Sequence, residues 1–333
     1  MKRSAKAYCG LFVVSVLFYC AAVRAEWHSE SQGIMGTEVS VTLWHKDSAV
    51  AKQAIAAVMQ EMQRIDAQFS PYKKDSELAQ LNRQAASKAQ PISDELALLV
   101  EKSLAISELS GGAFDLTFAT LAQYYDYRQA QKPSEAQIAE LKKHINYRLL
   151  KFDASQPSLF YAHPKLKIDL GGIAKGHAVD RSVAILQKLG IKHASVSAGG
   201  DSRLLGDRRG RPWIVGIKHP RQRPEEREAV LKLPLENLAI STSGDYERFF
   251  IDEQSGERIH HIINPRTGKS AAQLMSVTII GERGLDTDPL STAVFILGVD
   301  KGLALINDLT GFDAIIIDAN GKVHFSEGLM EAE

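Results

Sequence analysis

Beyond residue 20 the sequence contains no cysteine: Cys9 and Cys20 are the only two. Both fall in a stretch that reads as a secretory leader. Lys2, Arg3 and Lys6 give it a positive start, Leu11–Phe18 an apolar core, and Val23-Arg24-Ala25 a small-residue end suited to cleavage. With residues 1–25 removed, the mature chain 26–333 has no thiol for a disulfide, a thiolate zinc site or a cysteine nucleophile. The leader's apolar core is also shorter than the ~20 residues a membrane span needs. Positive charge is not in excess either. Losing the leader removes four of the 40 basic residues and leaves 36 against 40 acidic ones, a balance near −4. That excludes the basic stripe of a nucleic-acid binder. Internal repeats and low-complexity tracts are missing, which excludes a solenoid. The expectation is an exported, periplasmic protein. The rival is a lipid on Cys20 attaching the chain to the inner membrane, and the bulky Phe18-Tyr19 pair disfavours it. No regular structure is expected of the first few mature residues or of the charged loop His219–Glu228.

What the chain does have is two textures. Helical spacing marks Ser48–Phe69 (Ala54, Val58, Met62, Ile65), Ser93–Leu109, opened by a Ser93 cap and stopped by Gly111-Gly112, and Ser134–Ile145. These form a helical flank over about 48–146. Glu38–Trp44 alternates as a first strand, and from about Tyr147 short strands dominate, Leu166–Leu170, His193–Ser197, Leu238–Ser241 and Ser276–Ile280 among them. Two helices, Ala174–Leu189 and Pro289–Leu297, interrupt them. This pattern predicts an α+β fold with mainly antiparallel sheets and flanking helices.

Chemistry concentrates around Lys167–Asp180, KIDLGGIAKGHAVD. Asp169 precedes two glycines, and a helix follows, a geometry that aims backbone N–H groups and a bare carbonyl at a ligand. Lys175 sits in the first helical turn, where a cation opposes the helix dipole and gains nothing locally. The competing reading is a plain glycine turn with a solvated lysine. A Walker A loop is excluded, because Gly171-x4-Gly176 is followed by His177. Further on, Asp288-Pro289-Leu290-Ser291-Thr292 reads as a helix start with Asp288 as N-cap and Pro289 at its first position. Asp288, Ser291 and Thr292 bring three oxygen side chains together. They form either an ordinary cap or a hard-cation site of the kind Mg²⁺ occupies. His260-His261 lie on a strand running into a turn, so they face opposite ways and cannot share a metal. One of them facing a cleft could act as acid or base.

In order along the chain, these segments resemble the ApbE family of FAD:protein FMN transferases. The matching pieces are Met35-Gly36-Thr37, FSPYKKDSELAQLN from Phe69, GGAFD from Gly111, DLGGIAKGHAVD from Asp169, SAGGD from Ser197, STSGDYERFF from Ser241, HHIINPRTG from His260 and DTDPLSTAVFILG from Asp286. The resemblance implies an α+β unit related to the T-fold. It implies FAD as substrate, with the isoalloxazine near Met35 and Tyr72, and with adenosine and ribose contacts around Ala113, Phe114 and Asp115, Asp169, Lys175 and Ile262. It also implies Mg²⁺ held by the Gly172 carbonyl with Asp288, Ser291 and Thr292. The implied reaction moves FMN to a threonine hydroxyl of an acceptor protein, a subunit of a membrane redox complex with a Gly-containing motif ending in Thr, and releases AMP. His261 is the expected base, and Asp288 the other catalytic residue, acting mainly as ligand. Leu116, where relatives usually have Pro, and Asn264, where Asp is frequent, depart from the family pattern in loops outside the metal set. Two rival activities use the same residues. Water in place of threonine makes the protein an FAD pyrophosphatase yielding FMN and AMP, and a non-catalytic flavin carrier would bind FAD without metal.

Overall fold

Alternation in Thr37–His45 puts Val39, Val41 and Leu43 on one face, and all three are fully buried. This strand is the second of eight in a large sheet. In the computed structural model, which describes residues 26–221 and 229–330, the strands are β1 (Glu26–Ile34), β2 (Thr37–His45), β3 (Ala194–Ala198), β4 (Asp201–Leu205), β5 (Ala239–Gly244), β6 (Leu274–Gly281), β7 (Asp313–Asp318) and β8 (Val323–Phe325). They lie side by side in chain order, every neighbouring pair antiparallel. The expected α+β architecture with antiparallel sheet is therefore what forms. The region 222–228 of the charged loop and the leader lie outside the described residues. β1 corrects the expectation for the first mature residues. Its sequence, EWHSESQGI, carries no apolar alternation because it is a largely solvated edge strand, held by nine-residue pairing with β2 rather than by burial.

One face of the sheet is covered by α1 (Ser48–Phe69) and α4 (Ala174–Lys188), and its later strands by α5 (Gly284–Leu297) and α6 (Val299–Asn307). Between β2 and α4 in the chain come α2 (Glu77–Gln84) and α3 (Asp94–Leu109). The larger core joins Val41 and Leu43 of β2 to Val58, Met62 and Ile65 of α1 and Val179, Val183 and Leu186 of α4. A second core packs Val277 and Ile279 of β6 against Val294 and Phe295 of α5. Among the described residues no helix is long and apolar enough to cross a membrane.

α1, α3 and α4 are tied together by ions. Arg64 bonds Glu61 (2.8 Å) and Glu95 (2.8 Å), Arg181 bonds Glu61 (3.0 Å), and His177 meets Glu95 (2.7 Å). The Arg64 hydrogen bond holds the Glu61 carboxyl down at about 2 from an ordinary 4.5, against burial. A depressed folded pKa means the contribution is complete above pH 4.5 and disappears as pH falls from about 4.5 to about 2. Arg64 is itself partly solvated, so roughly 1–2 kcal/mol is at stake. Wild type should thus lose more thermal stability between pH 5 and pH 3 than a Glu61→Gln variant does. Equal losses in the two melting curves would remove this assignment.

Leu166–Leu170, expected as a strand, has no sheet ladder. Asn82 of α2 acts as its partner instead: its side-chain oxygen accepts the Ile168 N–H (2.9 Å) and its amide donates to the Ile168 carbonyl (2.8 Å). Thr120 Oγ1 accepts from Lys167 N (3.1 Å), and the Leu116 carbonyl accepts from Asp169 N (3.0 Å). The alternation is real, with Leu166, Ile168 and Leu170 all buried, but side chains and isolated loop carbonyls, not a sheet ladder, satisfy the backbone.

The helix expected to begin at Pro289 begins five residues earlier, at Gly284, so Asp288 is not an N-cap and Pro289 lies inside α5. The cap comes from α4: the Asp180 carboxylate accepts the N–H groups of Gly284 and Leu285, both at 2.9 Å. α4 and α5 cross where Gly176 meets Gly284. A Cβ on Gly176 would land on the Gly284 carbonyl and 2.7 Å from Asp288 Cβ. Backbone cannot yield as a side-chain tip can, so Gly176→Ala should cost about 2 kcal/mol. A melting temperature unchanged from wild type would show that the crossing tolerates a methyl group.

Candidate functional site

The crossing of α4 and α5 places three charges together. Lys175, in the first turn of α4, reaches Asp201 at the start of β4 (2.8 Å) and Asp288 of α5 (3.4 Å), and it donates to the Gly171 carbonyl (3.2 Å). This explains a cation placed against the helix dipole: its partners come from distant segments. Asp201 and Asp288 are 2% and 3% exposed, so two buried carboxylates share one ammonium. Burial and the Asp201 charge push Asp288 up to about 7, opposed by Lys175 and by the Gly176 N–H bond (2.9 Å). Burial opposes it, but the charges of Asp201 and Asp288 and their hydrogen bonds raise the Lys175 ammonium above its ordinary value. With both carboxylates ionised, the cluster has one more negative charge than positive.

Beside it lies the double-glycine turn. Asp169 Oδ1 accepts the Gly171 N–H (2.5 Å), while burial pushes the Asp169 carboxyl up. A Cβ on Gly172 would stand 3.1 Å from the Phe114 ring and 3.4 Å from Thr292 Oγ1, so Phe114, Gly172 and Thr292 meet at one point. Ser291 Oγ donates to the Asp288 carbonyl (2.8 Å) and contacts Ser243 Oγ (2.8 Å), which also lies 3.3 Å from Thr292 Oγ1. Asp288, Ser291 and Thr292 thus stand one helical turn apart, as their spacing implied, and Thr292 lies beside Gly172. Among the described residues no three His, Cys, Asp or Glu side chains form a metal-binding group. The donors available here are carboxylate, hydroxyl and carbonyl oxygens.

The other expected residues surround this point unequally. Ala113, Phe114 and Ile262 are buried, Phe114 and Ile262 in one apolar cluster. The Asp115 carboxylate is committed locally, accepting Thr117 N (2.8 Å), Thr117 Oγ1 (2.6 Å) and Tyr147 N (2.9 Å). Its backbone carbonyl is committed too, accepting Phe118 N (3.0 Å). Met35 has a φ of 55° and Gly36 one of 70° at the tip of the β1–β2 hairpin, the left-handed pair that a two-residue hairpin turn requires. Tyr72 is 84% exposed, a ring held out on the loop after α1.

The two histidines separate as their strand position implied. His260 Nε2 donates to the Ala271 carbonyl (2.7 Å) and its Nδ1 accepts from Ile262 N (3.3 Å), which fixes it as a neutral structural residue. His261 Nδ1 is buried and, among the described residues, has no partner. Burial, then the charges of Arg248 and Lys175, pull the His261 imidazole down to about 3. It is therefore uncharged at neutral pH.

Two residues went unassigned at the sequence level although both lie in quoted segments. Asp201 ends SAGGD and pairs with Lys175. Arg248, in STSGDYERFF, donates to the Gly36 carbonyl (3.2 Å) and its charge acts on Tyr72, Asp169 and His261. A carboxylate and a guanidinium inside polar turn segments were the only signals.

A family model described as the ApbE family matches residues 35–316. A FAD:protein FMN transferase of Treponema pallidum is 31% identical over 329 residues, covering 92% of this chain and 89% of that protein. One of Haemophilus influenzae is 30% identical over 314 residues, covering 90% and 89%. Among solved structures, an ApbE protein of Thermotoga maritima superposes with a TM-score of 0.83 at 31% identity, covering 92% of this chain and 98% of that one. The flavin transferase ApbE of Vibrio cholerae gives 0.79 at 27% identity, covering 92% and 99%.

Proposed function

The chain belongs to the ApbE family, and on that premise we propose that it moves FMN from FAD to a threonine hydroxyl of an acceptor protein and releases AMP. The observation that carries this is the buried Asp201–Lys175–Asp288 cluster, bonded to the Gly171 carbonyl and flanked by Gly172 and Thr292. Its surplus negative charge and all-oxygen donors fit Mg²⁺, which takes few protein ligands and leaves room for phosphate oxygens. Gly172, Asp288, Ser291 and Thr292 would hold it. When bound, the ion supplies electrostatic stabilisation of charge on the pyrophosphate, the dominant need in phosphoryl transfer.

The chain's own residues do the rest. Lys175 holds the leaving side of the pyrophosphate with an ammonium kept protonated by two carboxylates. Tyr72, exposed and planar, offers a stacking surface for the isoalloxazine, with Met35 on the facing hairpin. Phe114 and Ile262 exclude water from the nucleotide end. The threonine oxygen attacks the phosphorus of the FMN half, the bond to AMP breaks, and the hydroxyl proton passes to the neutral imidazole of His261. Residues 1–25, read as a secretory leader, would put this chemistry in the periplasm, with or without a lipid on Cys20.

Co-expression with a candidate acceptor domain, followed by intact mass measurement, tests the proposal. One added FMN on the acceptor is expected. An unmodified acceptor, with AMP released from FAD all the same, would make the protein a pyrophosphatase instead.

A further inference from the structure

Arg248 and His261 are the ends of a small hairpin. Phe249–Ile251 leaves the site immediately after Arg248 and pairs with Arg258–His260, which ends immediately before His261. The ladder's phase is fixed by two bonds, His261 N to the Arg248 carbonyl (3.1 Å) and Asp252 N to the Glu257 carbonyl (2.9 Å). In an antiparallel pair, hydrogen-bonded positions alternate with positions whose N–H and C=O point away from the partner. Arg248, Phe250 and Asp252 therefore spend their backbone groups inside the hairpin, while Phe249 and Ile251 aim theirs outward. Among the described residues this sheet has two strands only, so nothing in it pairs with that outer edge.

The side chains follow the same alternation. Phe250 is buried at 9%, whereas Phe249 and Ile251 are 37% and 49% exposed on the opposite face. The Arg258 guanidinium lies 3.8 Å from the Phe249 ring centroid, which holds that ring flat and open on its other side. Unpaired edges are normally blunted with proline, lysine or a bulge. This one carries large apolar residues and runs straight into the site.

We propose that this edge receives the acceptor protein, whose threonine-bearing segment adds as an extended strand along Phe249–Ile251. The inference rests on the transferase reading, which requires a second substrate that is a polypeptide. Strand addition supplies sequence-tolerant backbone bonds to the N–H and C=O groups of Phe249 and Ile251, while the two apolar side chains select an apolar residue on the incoming segment. A strand lies ~4.8 Å from its neighbour, so a residue just past the end of the added strand arrives beside Arg248 at the cleft mouth, with His261 one strand further across it. The hydroxyl is thereby brought into the cleft by the same hairpin that positions the base.

The acceptor domain that gains FMN in the mass experiment is the probe. Ile251→Pro removes an N–H that the fold does not use, and Phe249→Ser removes the apolar contact without touching the backbone. Each lost contact is worth about one hydrogen bond, so KM for the acceptor should rise ~10-fold in either variant. Turnover at saturating acceptor and FAD affinity should stay as in wild type. In wild type, adding acceptor should slow hydrogen exchange at the Phe249 and Ile251 amides. An unchanged KM in Phe249→Ser, or no added protection at those amides, overturns the docking edge. If the wild-type protein loads FMN onto no acceptor, the transferase reading falls, and this inference falls with it.

Discussion

Asp288→Asn is expected to slow FMN transfer by about 10²–10³-fold, the size of effect seen when one preorganised charge-stabilising group is removed. The substitution is nearly isosteric. Its amide oxygen can still accept the Gly176 N–H that Asp288 accepts at 2.9 Å, so the α4–α5 crossing keeps its geometry. What is lost is the negative charge, and with it the affinity of the Gly172, Ser291 and Thr292 oxygens for a divalent cation. FAD binding depends mainly on the flavin and adenosine ends, so its affinity should change by less than ~5-fold, a difference under 1 kcal/mol. Asp201 repels Asp288 in the metal-free protein, so the variant should melt no lower than wild type. Loss of activity together with a lower melting temperature would mean the carboxylate is structural. Full activity would remove the metal assignment.

The second large effect belongs to His261. Replacing it with alanine should reduce transfer ~10²-fold, at the lower end of what a positioned base contributes. The lower end is expected because burial and Arg248 draw its pKa to about 3, which makes the imidazole a weak base. The same shift means the proton-accepting form is fully populated at all pH values well above 3. A His pKa lowered on folding leaves the neutral form dominant there, so the ratio of wild-type to variant rates should stay constant between pH 6 and pH 8. His260→Ala, by contrast, breaks the bond to the Ala271 carbonyl and should lower stability. Rates measured with a fixed acceptor over that range decide the matter. An unchanged rate in His261→Ala assigns the base elsewhere, and a ratio that collapses towards pH 6 shows that the imidazole titrates near its ordinary value.

How much of this was readable in the chain depends on where each stabilising partner lies. The Ser93 cap was legible because it bonds Leu96 N (3.2 Å), three residues on, and local capping has a sequence signature. Lys175 was legible as an anomaly, a cation at a helix N-terminus, though not its resolution, since Asp201 and Asp288 lie far along the chain. The start of α5 was misread because proline is a strong local sign of a first helical turn. The cap actually comes from Asp180, 104 residues before Gly284. Leu166–Leu170 was misread for a similar reason: its alternation is that of a strand, and nothing in the segment indicates that Asn82 satisfies its backbone. Asp201 and Arg248 were missed because residues in polar turns gain meaning only once the chain is folded around them. Spacing within a helix, as in Asp288, Ser291 and Thr292, survived intact, because one turn of helix is the same wherever the helix begins.

The most direct measurement is a crystal structure of the protein with FAD and Mn²⁺ in place of Mg²⁺, located by anomalous scattering. A single cation peak is expected between the Gly172 carbonyl, Asp288 and Thr292, touching the pyrophosphate, with the isoalloxazine against Tyr72 and the phosphorus of the FMN half facing His261. A cation bound elsewhere, or FAD seated away from the Asp201–Lys175–Asp288 cluster, would contradict the account.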